Sequence, residues 1–123
     1  MAINHPGDRV PFTSETPVPA YCIVKLGATP GGCALASAPT DALIGVSYTV
    51  PINDVGVVMD VVQEGPTLVT SGGTIAYGDL LTTDANGHAI TAATGNVVIG
   101  RSMDTAVSGD LFVCDMFSRP AKA

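Results

Sequence analysis

The stretch Ile44–Val62, IGVSYTVPINDVGVVMDVV, returns without a gap at Ile99–Phe117, IGRSMDTAVSGDLFVCDMF, 55 positions later. Ile44/Ile99, Gly45/Gly100, Ser47/Ser102, Val58/Val113 and Asp60/Asp115 are identical, and Ile52/Val107, Val57/Phe112, Met59/Cys114, Val61/Met116 and Val62/Phe117 keep apolar character. Upstream, at the same offset, Gly32, Ala34 and Leu35 meet Gly87, Ala89 and Ile90. Each half therefore reads strand, glycine turn, strand, short break, Ile-Gly strand, loop, long apolar strand. Neither half has enough partners to bury an apolar face alone, so the two are expected to pack together. The expected fold is all-β, a small sandwich or barrel of two similar modules, about 20–64 and 75–117, within one domain spanning 20–123.

Glycine and proline support that class. With 14 Gly and 9 Pro, the longest stretch free of both is Asp110–Arg119. Most others are strand length and too short for ordinary helices. Asn86-Gly87 separates Leu80–Thr83 from His88–Thr91, a hairpin signal because both residues tolerate positive φ. Pro30-Gly31-Gly32 divides Tyr21–Leu26 from Cys33–Ala36 in the same way. Val55–Gln63 and Asp110–Phe117 are apolar on both alternating faces, as in strands covered on both sides. Another chain is expected to supply part of that cover.

The first 19 residues read differently. Pro6, Pro11, Pro17 and Pro19 interrupt a polar run, so 1–19 is expected as an extended arm, either disordered or paired along a neighbouring subunit. Arg9 and Phe12 are its candidate contacts.

Charge narrows the function. The chain carries 11 acidic and 5 basic residues, net −6. Between Ala20 and Phe117 the only basic residues are Lys25 and Arg101. Nucleic-acid binding needs clustered cations, so that class is set aside. The start lacks a basic segment followed by an apolar one, and no apolar run approaches the ~20 residues that span a bilayer. Synthesis in a cytoplasm and no membrane partner are the expectation. Cys22, Cys33 and Cys114 are then read as small buried hydrophobes, with no disulfide between Cys22 and Cys33, since the turn would set Cys33 opposite about Leu26.

No catalytic constellation assembles. His5 and His88 give no metal spacing, no Gly-x-Ser-x-Gly elbow exists, and no calcium loop is present. Gly72-Gly73 and Gly78 lack the lysine and helix of a phosphate loop. Asp79, Asp84, Asp104 and Asp110 fall near turns, where aspartate commonly accepts hydrogen bonds from backbone amides. Asp60 and Asp115, matched by the repeat on the two most apolar strands, are the notable carboxylates. Partial exposure or pairing explains them, and a subunit contact is the sharper reading. The chain is expected to be no enzyme, with no cofactor and no metal.

The order Leu43-Ile44-Gly45-Val46, Val55–Val62, Ile75–Leu81, Thr83–Ala89 and Val98–Ser102, closed by Gly109-Asp110 and an apolar strand, resembles the phage capsid cement proteins, or head decoration proteins, from about Tyr21 to Phe117. The resemblance implies a virion protein, made in a bacterial host. It would bind the outer surface of an expanded capsid, usually as a trimer, and clamp neighbouring major capsid subunits. It brings no catalytic residue. Candidate interface residues are Arg9, Phe12, Asp60 and Asp115. The alternative is a small β-barrel module binding carbohydrate or peptide, which would need exposed aromatics. A hydrolase using Asp60 and Asp115 stands third and requires the two carboxylates to converge.

Overall fold

A computed structural model of the protein describes residues 8–48 and 53–122. Nine strands form the regular structure among the described residues: β1 (Asp8–Ser14), β2 (Ile23–Leu26), β3 (Gly32–Leu35), β4 (Leu43–Ser47), β5 (Val58–Thr70), β6 (Leu80–Thr83), β7 (Ala89–Thr91), β8 (Val97–Ser102) and β9 (Leu111–Lys122). They follow one another in the order β1-β3-β2-β4-β5-β9-β8-β6-β7. β1 also pairs antiparallel with β5, from Asp8↔Glu64 to Thr13↔Val58, which closes the first five strands into a barrel. The second half of β5 leaves that barrel and pairs with β9, from Gly65↔Met116 to Thr70↔Leu111. It begins a second five-strand unit, whose ends meet at a parallel bridge between Ser71 and Ala89. Sandwich and barrel thus resolve as two barrels sharing one long strand.

The repeat is deeper than its sequence signal. Every ladder of the first barrel has a counterpart in the second. Val24↔Gly45 answers to Leu81↔Gly100, Val46↔Val62 to Arg101↔Asp115, and Phe12↔Met59 to Val69↔Phe112. The Ile-Gly strands keep the offset of 55. In the long strands the equivalence is 53, because the β4–β5 connection is two residues longer than the β8–β9 one. A slip of two residues preserves which side chains face inward, so the sequence alignment survives it unnoticed. The matching of Asp60 with Asp115 is corrected accordingly: Val62 is the structural counterpart of Asp115.

The segment expected as an arm is barrel wall over the described part. β1 pairs with β5 and, in parallel, with β3 at Thr13↔Gly32 and Ser14↔Cys33 of its own chain. In the second barrel the end of β5 takes the same place, and the agreement extends to single hydrogen bonds. Ser14 N donates to Val57 O and Gly56 N to Ser14 O; Ser71 N donates to Asp110 O and Gly109 N to Ser71 O. Residues 1–7, the outer part of the expected arm, lie outside the described residues.

The core has two parts. Val18, Val24, Cys33, Met59 and Val61 fill the first barrel, with Phe12, Leu35 and Ile44 against them. The larger cluster fills the second barrel with Val69, Ile75, Leu81, Ile99, Phe112 and Cys114, and continues to Ile23, Val46 and Val62. Those three form a row across β2, β4 and β5 on the outer wall of the first barrel, covered by the second. The equivalent row on the second barrel is Leu80, Arg101 and Asp115, of which the two charged residues are exposed. Charge at these positions ends the stacking at two barrels, since a third would bury both ions.

Thr82 on β6 is fully buried, and its hydroxyl has no partner among the described residues. An unpaired buried hydroxyl costs about 1–3 kcal/mol of desolvation. Thr82→Val keeps the shape and removes that cost. The expected result is a urea midpoint equal to or above that of the parent; a clear drop would mean that the hydroxyl is bonded.

Candidate interaction surface

From Leu111 to Met116, β9 is covered on one face only, whereas β5 is covered on both faces at Val61 and Val62. Inward residues of β9, Phe112, Cys114 and Met116, are buried, whereas Leu111, Val113 and Asp115 point outward and are exposed. The expectation of cover on both faces therefore holds within the chain at Val61 and Val62 of β5 and fails along Leu111–Met116 of β9. On the outer face, Leu68 of β5 lies directly opposite Val113, and Thr70 opposite Leu111. Met103, just past β8, donates its N–H to Val113 O at 3.0 Å. Leu68 (36% exposed), Val113 (39%), Met103 (45%) and Leu111 (51%) therefore make one apolar row on a paired sheet. At one end Asp115 sits between Pro66 and Arg101. Arg101 donates from its guanidinium to Gly78 O at 2.9 Å, next to the well-exposed Tyr77.

The same positions of the first barrel are occupied differently. There the outward pair is Pro11 opposite Asp60, with Val58 beyond, so the continuous apolar row belongs to the second barrel alone. A further exposed apolar group, Val55, Val57 and Val58, lies at the start of β5. Ser14 fixes its loop by donating to Asp54 O (3.0 Å) and accepting from Val57 N (3.2 Å).

The candidate residues scatter. Arg9 stands opposite Val62 in the register. Phe12 is half-buried and packs against the first barrel's core. Asp60 is exposed beside Pro11, and Asp115 is exposed beside Pro66. Asp60 and Pro66 are six residues apart on β5, roughly 20 Å of extended strand, so the two carboxylates do not converge as a hydrolase would need. Leu68, Leu111, Val113 and Met103 were not singled out from sequence. For Leu111 and Val113 the signal was the two-faced apolar pattern of Asp110–Phe117, which shows that cover is needed but not which face lacks it; Leu68 and Met103 lie outside the stretches with that pattern.

The remaining chemistry is structural. Asp84 accepts from Asn86 N and His88 N, Asp79 from Ala76 N, Asp104 from Thr105 N and Asp110 from Val107 N, as their turn positions implied. The three cysteines are free and buried, and Cys33 pairs opposite Leu26. Burial, with a smaller contribution from Asp115, pushes the Cys114 thiol up to about 12, far from a reactive thiolate. Of the aromatics among the described residues, Tyr77 alone is exposed; Phe112 is buried and the others are half-buried. No group of three or more His, Cys, Asp or Glu among the described residues could hold a metal ion.

Comparison with known proteins agrees with this picture of a structural surface. The fold is similar to the head fiber gp8.5 N base in bacteriophage phi29, a crystal structure, with a TM-score of 0.71 at 16% sequence identity, covering 94% of this chain and 98% of that one. No curated protein matches the sequence. A family model described as phage cement protein matches residues 4–115. The chain belongs to the phage cement protein family, structural proteins of the virion.

Proposed function

We propose that the protein binds the outer surface of a phage capsid and stabilises contacts between major capsid subunits, docking through the apolar row Leu68, Val113, Met103 and Leu111. The observation that carries this reading is the row itself. Four exposed apolar side chains stand side by side on hydrogen-bonded strands, on a barrel whose twin has a proline and an aspartate there. Rigid strands hold the row without an ordering cost on binding. Burying each exposed Leu, Val or Met is worth roughly 1.5–3 kcal/mol before the costs of association. The net charge of −6 keeps copies of the unassembled protein apart through mutual repulsion. The protein acts as a homo-oligomer, expected as a trimer, so several such rows engage one shell and gain avidity. It is made in the host cytoplasm and stays on the virion.

The test uses empty capsid shells and purified protein. Leu68→Asp and Val113→Asp each place a carboxylate at the centre of the contact, where an unpaired charge costs several kcal/mol. Occupancy of the shells is expected to fall more than 100-fold, with the melting temperature of the free protein within about 2 °C of the parent, because both sites are exposed. Asp60→Ala, on the first barrel, is expected to bind as the parent does. Normal occupancy by both apolar-row variants would reject this surface. Sedimentation of the free protein as a monomer would reject the trimer separately.

A further inference from the structure

At the mouth of each barrel a carboxylate sits between the end of the closing strand and the adjoining hairpin turn, and the two barrels deliver it from opposite sides. In the second barrel it is Asp84, the first residue of the β6–β7 turn. Its Oδ1 accepts from Asn86 N (2.8 Å) and His88 N (3.0 Å), and its Oδ2 fills the space that a side chain at Gly72 would need. Gly72, just after β5, donates its N–H to Ala89 O. In the first barrel the counterpart of Gly72 is Glu15, whose N–H donates to Cys33 O, and the counterpart of Asp84 is Gly27. Acid and glycine have changed places. The Glu15 carboxylate accepts from Ala28 N (2.8 Å), Thr29 N (3.1 Å) and the Thr29 hydroxyl (2.8 Å), and fills the space above Gly27 and Gly32.

The exchange changes what the carboxylate ties together. Asp84 caps its own turn, so the second barrel's hairpin is self-sufficient. Glu15 belongs to the segment that follows β1 and reaches across to a turn with no acid of its own. The direct β1–β3 ladder is only the two pairs at Thr13 and Ser14. We propose that Glu15 is the latch of the first barrel: its carboxylate holds β1 against the β2–β3 hairpin, and neutralising it opens the β1–β3 seam while the second barrel stays closed.

The sign of the pH effect follows from the donors. The Ala28 amide, then the Thr29 hydroxyl and amide, hold the Glu15 carboxyl below its ordinary value of 4.5. A carboxylate with a depressed folded-state value contributes its stabilisation above the ordinary value and loses it as pH falls through the folded one. Of the other titratable groups on the packed elements, Cys33 is coupled to Glu15 but stays a neutral thiol over the acid range, and the rest act elsewhere. Cys33 on β3 is pushed up by burial and then by Glu15 itself, Lys25 on β2 lies 3.5 Å from Asp41, and Asp54 and Asp60 lie on the loop and strand beyond Ser14.

Amide hydrogen exchange on the full chain, corrected for intrinsic rates, reads the latch directly. Between pH 6.5 and 3.5, protection of the Thr13 and Glu15 amides is expected to drop several-fold, with about tenfold as the ceiling set by the ordinary value, and Ser71 and Gly72 hold theirs. Glu15→Gln should show the low protection at both pH values. The paired exchange Glu15→Gly with Gly27→Asp copies the second barrel. It should restore protection to the Thr29 amide, the counterpart of Asn86, and leave β1 loose. Parent-like protection of Thr13 in Glu15→Gln would overturn the proposal. So would a β1 as protected in the exchanged pair as in the parent, since the acid would then serve the turn alone.

Discussion

Gly100→Ala is expected to destabilise the protein by about 3 kcal/mol or more, a loss of roughly 10–15 °C in melting temperature for a chain of this size. The reason is contact, not conformation. Gly100 lies on β8 with β9 passing directly over it, and a Cβ there would strike the Asp115 carbonyl and the Met116 backbone. Backbone in the middle of a ladder cannot rotate away as a side-chain tip can. Gly45 on β4 meets the Val62 carbonyl in the same manner, so Gly45→Ala should cost a similar amount in the first barrel. Gly95 supplies the control. Its φ of +89° is left-handed, yet nothing lies within 4 Å of a Cβ built on it. Gly95→Ala should cost only the conformational preference, about 1–2 kcal/mol. Urea unfolding of the three variants checks the order, and a Gly95 variant as damaged as the Gly100 one would refute the contact argument. Against a typical total of about 5–15 kcal/mol, either Ile-Gly substitution threatens the fold itself.

The two Ile-Gly-x-Ser motifs were thus the most informative letters in the sequence. The glycine is forced by the crossing strand, and the serine is buried in both barrels, accepting at its carbonyl the N–H of Tyr21 or Gly78. That acceptance also explains the one non-glycine residue with positive φ among the described residues, Tyr21 at +56°, which occupies the place Gly78 takes at +86°. Three features stayed hidden for physical reasons. β1 was masked by proline. Pro11 is tolerated because β1 pairs with β3 only at Thr13 and Ser14, leaving no ladder on that side for it to interrupt. The two-residue slip between β5 and β9 was invisible because it preserves alternation, and it let Asp60 and Asp115 align by coincidence. The apolar row on the second barrel was legible as excess hydrophobicity, but Leu68, Leu111 and Val113 look like core residues until the pairing shows which face is outside.

Phe112→Ala is the second large effect, expected at about 3–5 kcal/mol. Phe112 is 1% exposed and is the largest fully buried side chain among the described residues of a protein with no Trp. It faces Val69 across the ladder and packs in the cluster with Ile75, Leu81 and Ile99, so its removal leaves a void that short side chains on paired strands cannot close. The repeat supplies a graded comparison. Met59 stands at the equivalent place in the first barrel, so Phe112→Met installs a residue the architecture already uses there, and should cost below about 1.5 kcal/mol. The shape of the transition carries further information. The cluster that contains Phe112 runs on through Ile23, Val46 and Val62 of the first barrel, and β5 is a wall of both. Weakening the second barrel must therefore weaken the first, and urea unfolding of Phe112→Ala in a Tyr77→Phe background should remain a single transition when followed both by backbone circular dichroism and by the fluorescence of the remaining Tyr21 and Tyr48. Two separated transitions would mean that the barrels fold independently and that the shared core is only a contact between finished units.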